Sequence, residues 1–286
     1  MTAKFGPAGT PNDFEASGYK GTLQMPEYLA GLGLSAFEYQ CGRGVNIGRE
    51  KAAALGEKAR EHEIALSVHA PYFISLSSKE EAKRENSINY ILQSARAVDA
   101  MGGTRIVVHS GSCSGFTREQ ALELALATMK KAVEALDAED LSHIRICPET
   151  MGKIGQLGTL EEVMKLCELD ERMLPCIDFG HLNARTHGGL KTKEDFEQVF
   201  LTIRDRLGES RLREFHSHFS KIEYTEGGEK RHLTFETDDA GYGPDFEPVA
   251  ELCYQYGCAP VFICESAGTQ AKDALEMQRI YRACAE

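Results

Sequence analysis

Six short apolar runs in this chain each end in a residue able to bind a divalent cation. They are ALSVHA (His69), IVVHSG (His109), RICPET (Glu149), PCIDFGH (Asp178 and His181), EFHSH (His216) and FICES (Glu265). Taken singly, each has an ordinary explanation, since a buried histidine is usually a hydrogen-bonded core residue and a carboxylate at a strand end often caps the next helix. Taken together, four imidazoles and three carboxylates at one place would leave repelling carboxylates and desolvated polar groups costing several kcal/mol. Divalent cations remove that conflict. Imidazole with carboxylate, and no thiolate at the run ends, suits Zn²⁺ or Mn²⁺. Seven ligands exceed the needs of one tetrahedral ion, so at least two ions sharing a carboxylate are expected. Paired ions roughly 3.5–4 Å apart activate water and neutralise a leaving oxygen in many phosphate-cleaving enzymes, which makes phosphoryl transfer to water the leading reaction class. His232, in GGEKRHLTF, is a candidate to complete a further ion site with His181. His218 follows His216 by two residues and reads as a supporting group or polar lining on the same side of a strand. His62, His143 and His187 lie outside the pattern and read as ordinary histidines.

For such distant residues to meet, the elements carrying them must converge. Short β-rich runs alternate with longer helical patterns, as in a parallel sheet covered by helices. Strands are expected near 3–6, 34–39, 64–69, 104–109, 143–149, 174–178, 213–218 and 260–265. Eight of them predict an α/β fold, a (β/α)8 TIM barrel forming a single domain over residues 1–286. The strand ends of such a barrel surround one mouth, where barrel enzymes place their chemistry. Ser78-x-x-Glu81, Thr117-x-x-Gln120 and Thr159-x-x-Glu162 read as capping boxes opening helices. Ile88, Ile91, Leu92, Ala95 and Val98 recur at helical spacing before Gly102-Gly103 stops the turn. The longest irregular segment runs from about 219 to 244.

Bulk properties limit the partners. With 286 residues, 42% hydrophobic and 27% charged, the chain has material for one large core and no sign of disorder. Nine cysteines form no C-x-x-C pair, and Cys147, Cys176, Cys253 and Cys264 sit in apolar runs, as reduced buried thiols do. The N-terminus MTAKFGPAGT reads as neither a leader nor a membrane segment, so a cytoplasmic location without membrane association is expected. A net charge of −12 opposes indiscriminate nucleic-acid binding, so such a partner requires a local cationic site. Arg43, Lys153, Arg185, Lys221, Lys230 and Arg231 fall on segments following strands and could provide one.

The segments HAPYFISL, VVHSG, PET-x-GK, IDFGHLNAR, HSHFSKIEY, GEKRHL and ICES, in this order across nearly the whole chain, resemble the endonuclease IV family of apurinic/apyrimidinic-site endonucleases. FGPAG at the start and F-E-Y-x-x-G-R-G-V at 37–45 look closest to the branch of archaea and some anaerobes. The resemblance implies up to three zinc ions: His69, His109 and Glu149 around one, Glu149, Asp178, His216 and Glu265 around a second, and His181 with His232 around a third. Glu149 would bridge and would be catalytic, orienting or deprotonating the attacking water. The better-known bacterial pattern has an aspartate two residues before the last histidine, where this chain has Lys230; either Glu229 replaces it by a small loop shift or the third site is weak or empty. Tyr72 and Phe73 take the places of a bulky pair that wedges into DNA at the damaged nucleotide, with Arg43, Lys230 and Arg231 on the backbone. The implied substrate is damaged double-stranded DNA, cleaved 5′ to an abasic site, with no protein partner implied. The rival is a sugar isomerase or epimerase of a related barrel, using one ion held by Glu149, Asp178, His216 and Glu265; His69 and His109 would be superfluous to it.

Overall fold

In the computed structural model, which describes residues 2–236 and 241–284, ten strands and eleven α-helices alternate along the chain. The strands are β1 (Lys4–Pro7), β2 (Ala36–Gln40), β3 (Ala65–His69), β4 (Arg105–Val108), β5 (Arg145–Pro148), β6 (Cys176–Asp178), β7 (His216–Phe219), β8 (Ile222–Thr225), β9 (Gly228–His232) and β10 (Val261–Cys264). The helices are α1 (Asp13–Ala16), α2 (Met25–Leu32), α3 (Arg49–Glu61), α4 (Glu81–Ala100), α5 (Arg118–Ala138), α6 (Leu160–Cys167), α7 (Phe179–Arg185), α8 (Lys193–Leu207), α9 (Glu209–Arg213), α10 (Glu247–Tyr256) and α11 (Gln270–Ala283). Parallel pairing runs β2-β3-β4-β5 in one sheet and β6-β7-β10-β1 in another. Single parallel bridges, Ala8 to Glu38 and Glu149 to Cys176, join the two sheets at both seams. Eight strands therefore close into the TIM barrel expected from the alternating pattern.

Strand side chains alternate between faces with period two, and this sorts residues between the helix layer and the barrel interior. Phe37, Leu66, Val68, Ile106, Val108, Ile146, Ile177, Phe215, Phe219 and Phe262 belong to the large core shared with the helices. The residues between them line the interior. Smaller apolar groups plug it, Val107, Cys147, Leu174 and Cys176 on one side and Ala8, Ala36 and Ile263 on the other. The last inward residues are His69, His109, Glu149, Asp178, His218 and Glu265. Two residues earlier on the same strands stand Ser67, Val107, Cys147, Cys176, His216 and Ile263, a layer deeper.

Two of the three expected capping boxes are present: Thr117 and Thr159 each accept from the backbone N–H three residues on, and Gln120 and Glu162 return the bond. Ser78 does not cap α4. That helix begins at Glu81 after Glu80, and the Ser78 hydroxyl accepts only from Glu80 N–H in the turn before it. The 219–244 segment is not an open loop. It holds the antiparallel hairpin β8–β9, while its residues 237–240 lie outside the described residues. The hairpin turn docks on the segment after β5: Ile154 N–H donates to Gly227 O at 3.0 Å and Glu229 N–H to Gly152 O at 3.1 Å. Gly228 permits this approach. Its φ is +88°, and a Cβ there would lie 2.2 Å from Gly152 O.

Candidate metal centre

Glu149 stands at the centre of the mouth, 1% exposed. Its two oxygens face different histidines. Oε2 lies 3.3 Å from His69 Nε2 and 3.2 Å from His109 Nε2; Oε1 lies 3.3 Å from His181 Nδ1 and 3.2 Å from His218 Nδ1. Donor atoms within 4.8 Å of one another form two groups that include it, His69, Glu149 and His218, and Glu149, Asp178, His218 and Glu265; a third beside it, His181, Glu229 and His232; and a fourth in the layer below, Cys176, His216 and His218. Most of the residues expected from sequence thus meet, namely His69, His109, Glu149, Asp178, His181, His232 and Glu265.

His216 does not. It sits in the layer below, its Nε2 2.9 Å from Glu38 Oε2, fully buried. His218 is the histidine that faces Glu149 and Glu265, at 3.2 and 3.5 Å. The strand register gives the reason: His218 pairs with Asp178 at the rim, and His216 pairs with Cys176 beneath it. Expected as a supporting group, His218 occupies the position assigned to His216.

Backbone and side-chain partners orient the rings. His69 Nδ1 lies 2.8 Å from Ala70 O and His181 Nδ1 lies 2.9 Å from Thr150 O, so each donates there and presents Nε2. His232 Nδ1 contacts Ser220 Oγ at 2.8 Å. Asp178 caps α7, Oδ1 accepting from His181 N–H at 2.7 Å. Its Oδ2 is buried and makes no hydrogen bond, its nearest charged neighbour being His181 Nδ1 at 3.3 Å. A buried carboxylate oxygen left this way is costly, and a cation at the adjoining donors would satisfy it. This donor chemistry fits divalent metal.

The electrostatics agree. Burial pushes the Glu149 carboxyl up, but His218, with His109 and His181, outweighs it and holds the group well below the usual carboxylate range. Burial raises Asp178; His181 opposes the rise, and Glu265 and Glu149 reinforce it. Burial would depress His69, yet Glu149 lifts it to about 9; burial likewise opposes the lift of His181 by Asp178 and Glu149 to about 10. Negative charge at the mouth thus attracts protons where cations would bind.

The third group departs from the expected pattern in a definite way. Glu229 Oε2 lies 3.4 Å from His181 Nε2, and Oε1 lies 3.9 Å from His232 Nε2. Lys230 points away, to Glu223 at 2.5 Å, and Arg231 ends on the same carboxylate. Neither residue lines the mouth. A cavity of about 330 Å³ does open over Glu149, walled by Gln40, Tyr72, Lys153, Gln156 and the histidines. Tyr72 and Phe73 are 54% and 41% exposed beside it, Phe73 edge-on to Tyr90. Tyr72 N–H donates to Gly42 O, which sets exposed Arg43 next to the pair. Arg185 does not serve as a surface cation: its guanidinium turns onto the carbonyls of Met151, Lys153 and Gln156 and fixes the loop after β5.

A family model described as "Xylose isomerase-like TIM barrel" matches residues 26–282. The chain belongs to this xylose isomerase-like TIM-barrel family. Within it, an uncharacterized protein of Methanocaldococcus jannaschii is 31% identical over 277 residues, covering 97% of this chain and 96% of its own. A probable endonuclease 4 of Enterococcus faecalis is 28% identical over 219 residues, covering 72% and 70%. Solved barrels of two kinds superimpose. A D-tagatose 3-epimerase-like protein gives a TM-score of 0.72 at 21% identity, covering 99% and 97%. Endonuclease IV from Thermus thermophilus gives 0.63 at 20%, covering 93% and 94%. At these identities the superpositions show the barrel fold alone and leave the reaction to the site.

Among the site residues, sequence reasoning missed Glu38, buried within β2, and gave His218 too small a part. A charge at an inward position of an otherwise apolar strand, Ala36-Phe37-Glu38-Tyr39, was the signal for the first. The second follows from the rule used for the other strands, because His218, not His216, ends the predicted run 213–218.

Proposed function

We propose that this chain is a metal-dependent endonuclease of the endonuclease IV type, hydrolysing the phosphodiester 5′ to an abasic site in double-stranded DNA. One barrel over residues 1–286 would serve as the whole catalytic unit. The observation carrying this reading is the division of Glu149 between two sets of imidazoles. A carboxylate placed so can be shared by two ions, with His69 and His109 on one side and Asp178, His218 and Glu265 on the other. His181, Glu229 and His232 would hold a third. When bound, zinc or manganese ions supply activation of water and neutralisation of charge on the departing oxygen.

The chain's own residues do the rest. Tyr72 and Phe73 project where inserted rings would unstack and kink a duplex, and the damaged nucleotide, turned out of the stack, would enter the cavity over Glu149. Lys153 and Arg43 lie at the rim to meet backbone phosphates. Lys230 and Arg231, on the hairpin, are bound to Glu223 but exposed; pairs of this kind are worth only about 0–1 kcal/mol, so phosphate can compete for them. Glu149 orients the attacking water, whose oxygen bonds to phosphorus as the bond to the 3′ oxygen breaks. The products are a 3′-hydroxyl and a 5′-deoxyribose phosphate. A Glu149→Gln variant is expected to incise an abasic-site duplex slower by about 10³-fold; incision at the parental rate would overturn the assignment.

Glu149, Asp178, His218 and Glu265 would by themselves serve a single-ion ketose epimerase, because their donor atoms converge within 4.8 Å. That chemistry has no use for His69 and His109. Two or three zinc ions per chain support the nuclease, whereas one manganese or cobalt ion with epimerase activity on ketoses supports the rival.

A further inference from the structure

Below the mouth, inside the barrel, lies a carboxylate that the proposed reaction does not use. Glu38 is fully buried and meets four polar groups. Oε2 accepts from Ser67 Oγ at 2.8 Å and contacts His216 Nε2 at 2.9 Å. Oε1 accepts from Gln40 Nε2 at 3.3 Å and lies 2.8 Å from His218 Nε2. A carboxylate offers about four lone-pair directions, and three are taken by Ser67, His216 and Gln40. The His218 contact is short but off the hydrogen-bonding direction, so it acts chiefly through charge.

This contact reverses His218 relative to the other rings. His69, His181 and His232 engage the protein through Nδ1 and present Nε2 to the mouth. His218 engages Glu38 through Nε2 and presents Nδ1 to Glu149 and Glu265. Both ring nitrogens face carboxylates, Nδ1 hydrogen-bonded to Glu149 Oε1 at 3.2 Å and Nε2 2.8 Å from Glu38 Oε1; a cation that displaced the proton at Nδ1 would leave the remaining ring proton on Nε2, facing Glu38. A carboxylate behind a ligating histidine also fixes the ring plane and increases ligand basicity.

We propose that Glu38 is a positioning residue for the metal centre: it holds His218 as an Nδ1 ligand and keeps His216, its other imidazole partner, off the metal. The inference rests on the reading of the mouth as a metal centre. It is tested on full-length protein by zinc affinity from chelator competition, by the visible spectrum of the cobalt-loaded form, and by nitrogen-15 NMR of the histidine rings in zinc-loaded parental protein. Glu38→Ala is expected to weaken zinc binding by roughly 10–100-fold and to change the cobalt spectrum. Glu38→Gln, which keeps an acceptor but no charge, should fall between it and the parent. In the parental protein His218 should appear protonated at Nε2 and metal-bound at Nδ1, a readout that stands even if a variant fails to fold. Zinc bound through Nε2 of His218, or a Glu38→Ala protein with parental affinity and spectrum, would overturn the proposal while leaving the metal centre intact. A parental protein that binds neither zinc nor cobalt would remove the metal centre, and this proposal with it.

Discussion

His216 and His218 share one face of β7, one layer apart, so exchanging their fates is a sharp test at the residue scale. His218→Ala is expected to weaken metal binding by more than about 100-fold, whereas His216→Ala, which removes only a neighbour of Glu38, should cost at most about 10-fold. Elemental analysis with chelator competition reads both, and equal losses would mean that the rim is not where the register puts it. Protonation gives a second prediction. His69 and His181, lifted to about 9 and about 10, carry protons near pH 7, and a ligand nitrogen must lose its proton to bind a cation. Metal binding should therefore release protons, and apparent affinity should fall as the pH drops below about 9. Calorimetry in buffers of different ionisation enthalpy measures the number released; none at pH 7 would contradict the charges assigned to the mouth. At this scale the donor types were legible from the strand ends. The level of the β7 donor was marked only by where the run 213–218 ends, because two histidines at i and i+2 point the same way; pairing with β6 shows His218 at the rim. Glu38 was hidden for a related reason, since all its partners but Gln40 come from β3 and β7 and the strand itself shows just one charge between aromatic residues.

At the scale of elements, the barrel strands were readable because apolar runs alternated with capped helices. Thr117 and Thr159 announce α5 and α6 as local chemistry, with both bonds of each box made within one turn. Ser78 has the same sequence spacing but fails, since the chain reaches α4 through an extended Glu80. The β8–β9 hairpin escaped notice because its residues, Ile222–Thr225 and Gly228–His232, are mostly polar and only partly buried, so hydrophobic alternation is faint. Its seat depends instead on Gly228 lying against Gly152. Gly228→Ala would place a Cβ 2.2 Å from Gly152 O at a left-handed φ, a cost on the order of 1–3 kcal/mol. The expected result is loss of the ion proposed at His181, Glu229 and His232, with those proposed around Glu149 retained. Metal content and anomalous scattering from crystals would show it, and an unchanged third ion would mean that the hairpin does not position that site.

On the scale of the whole molecule, closure of eight strands brings residues from position 69 to position 265 to one rim. It also separates two chemistries: an apolar layer between barrel and helices, and a polar axis running from Glu38 up to Glu149. The net charge of −12 works against phosphate contact, so on the proposed reading DNA binding would depend on cations loaded at the mouth. The family and the barrel follow from the alternating pattern and the order of motifs. The reaction does not, because a single-ion sugar barrel and a multi-ion nuclease place donors at the same strand ends. The deciding measurement is incision of a duplex carrying one abasic site by the zinc-loaded protein, by protein stripped with chelator, and by stripped protein given zinc again. A single cut 5′ to the lesion that disappears with the metal and returns with it is the predicted result; an uncut duplex in all three, from protein shown to hold two or more zinc ions, would contradict it.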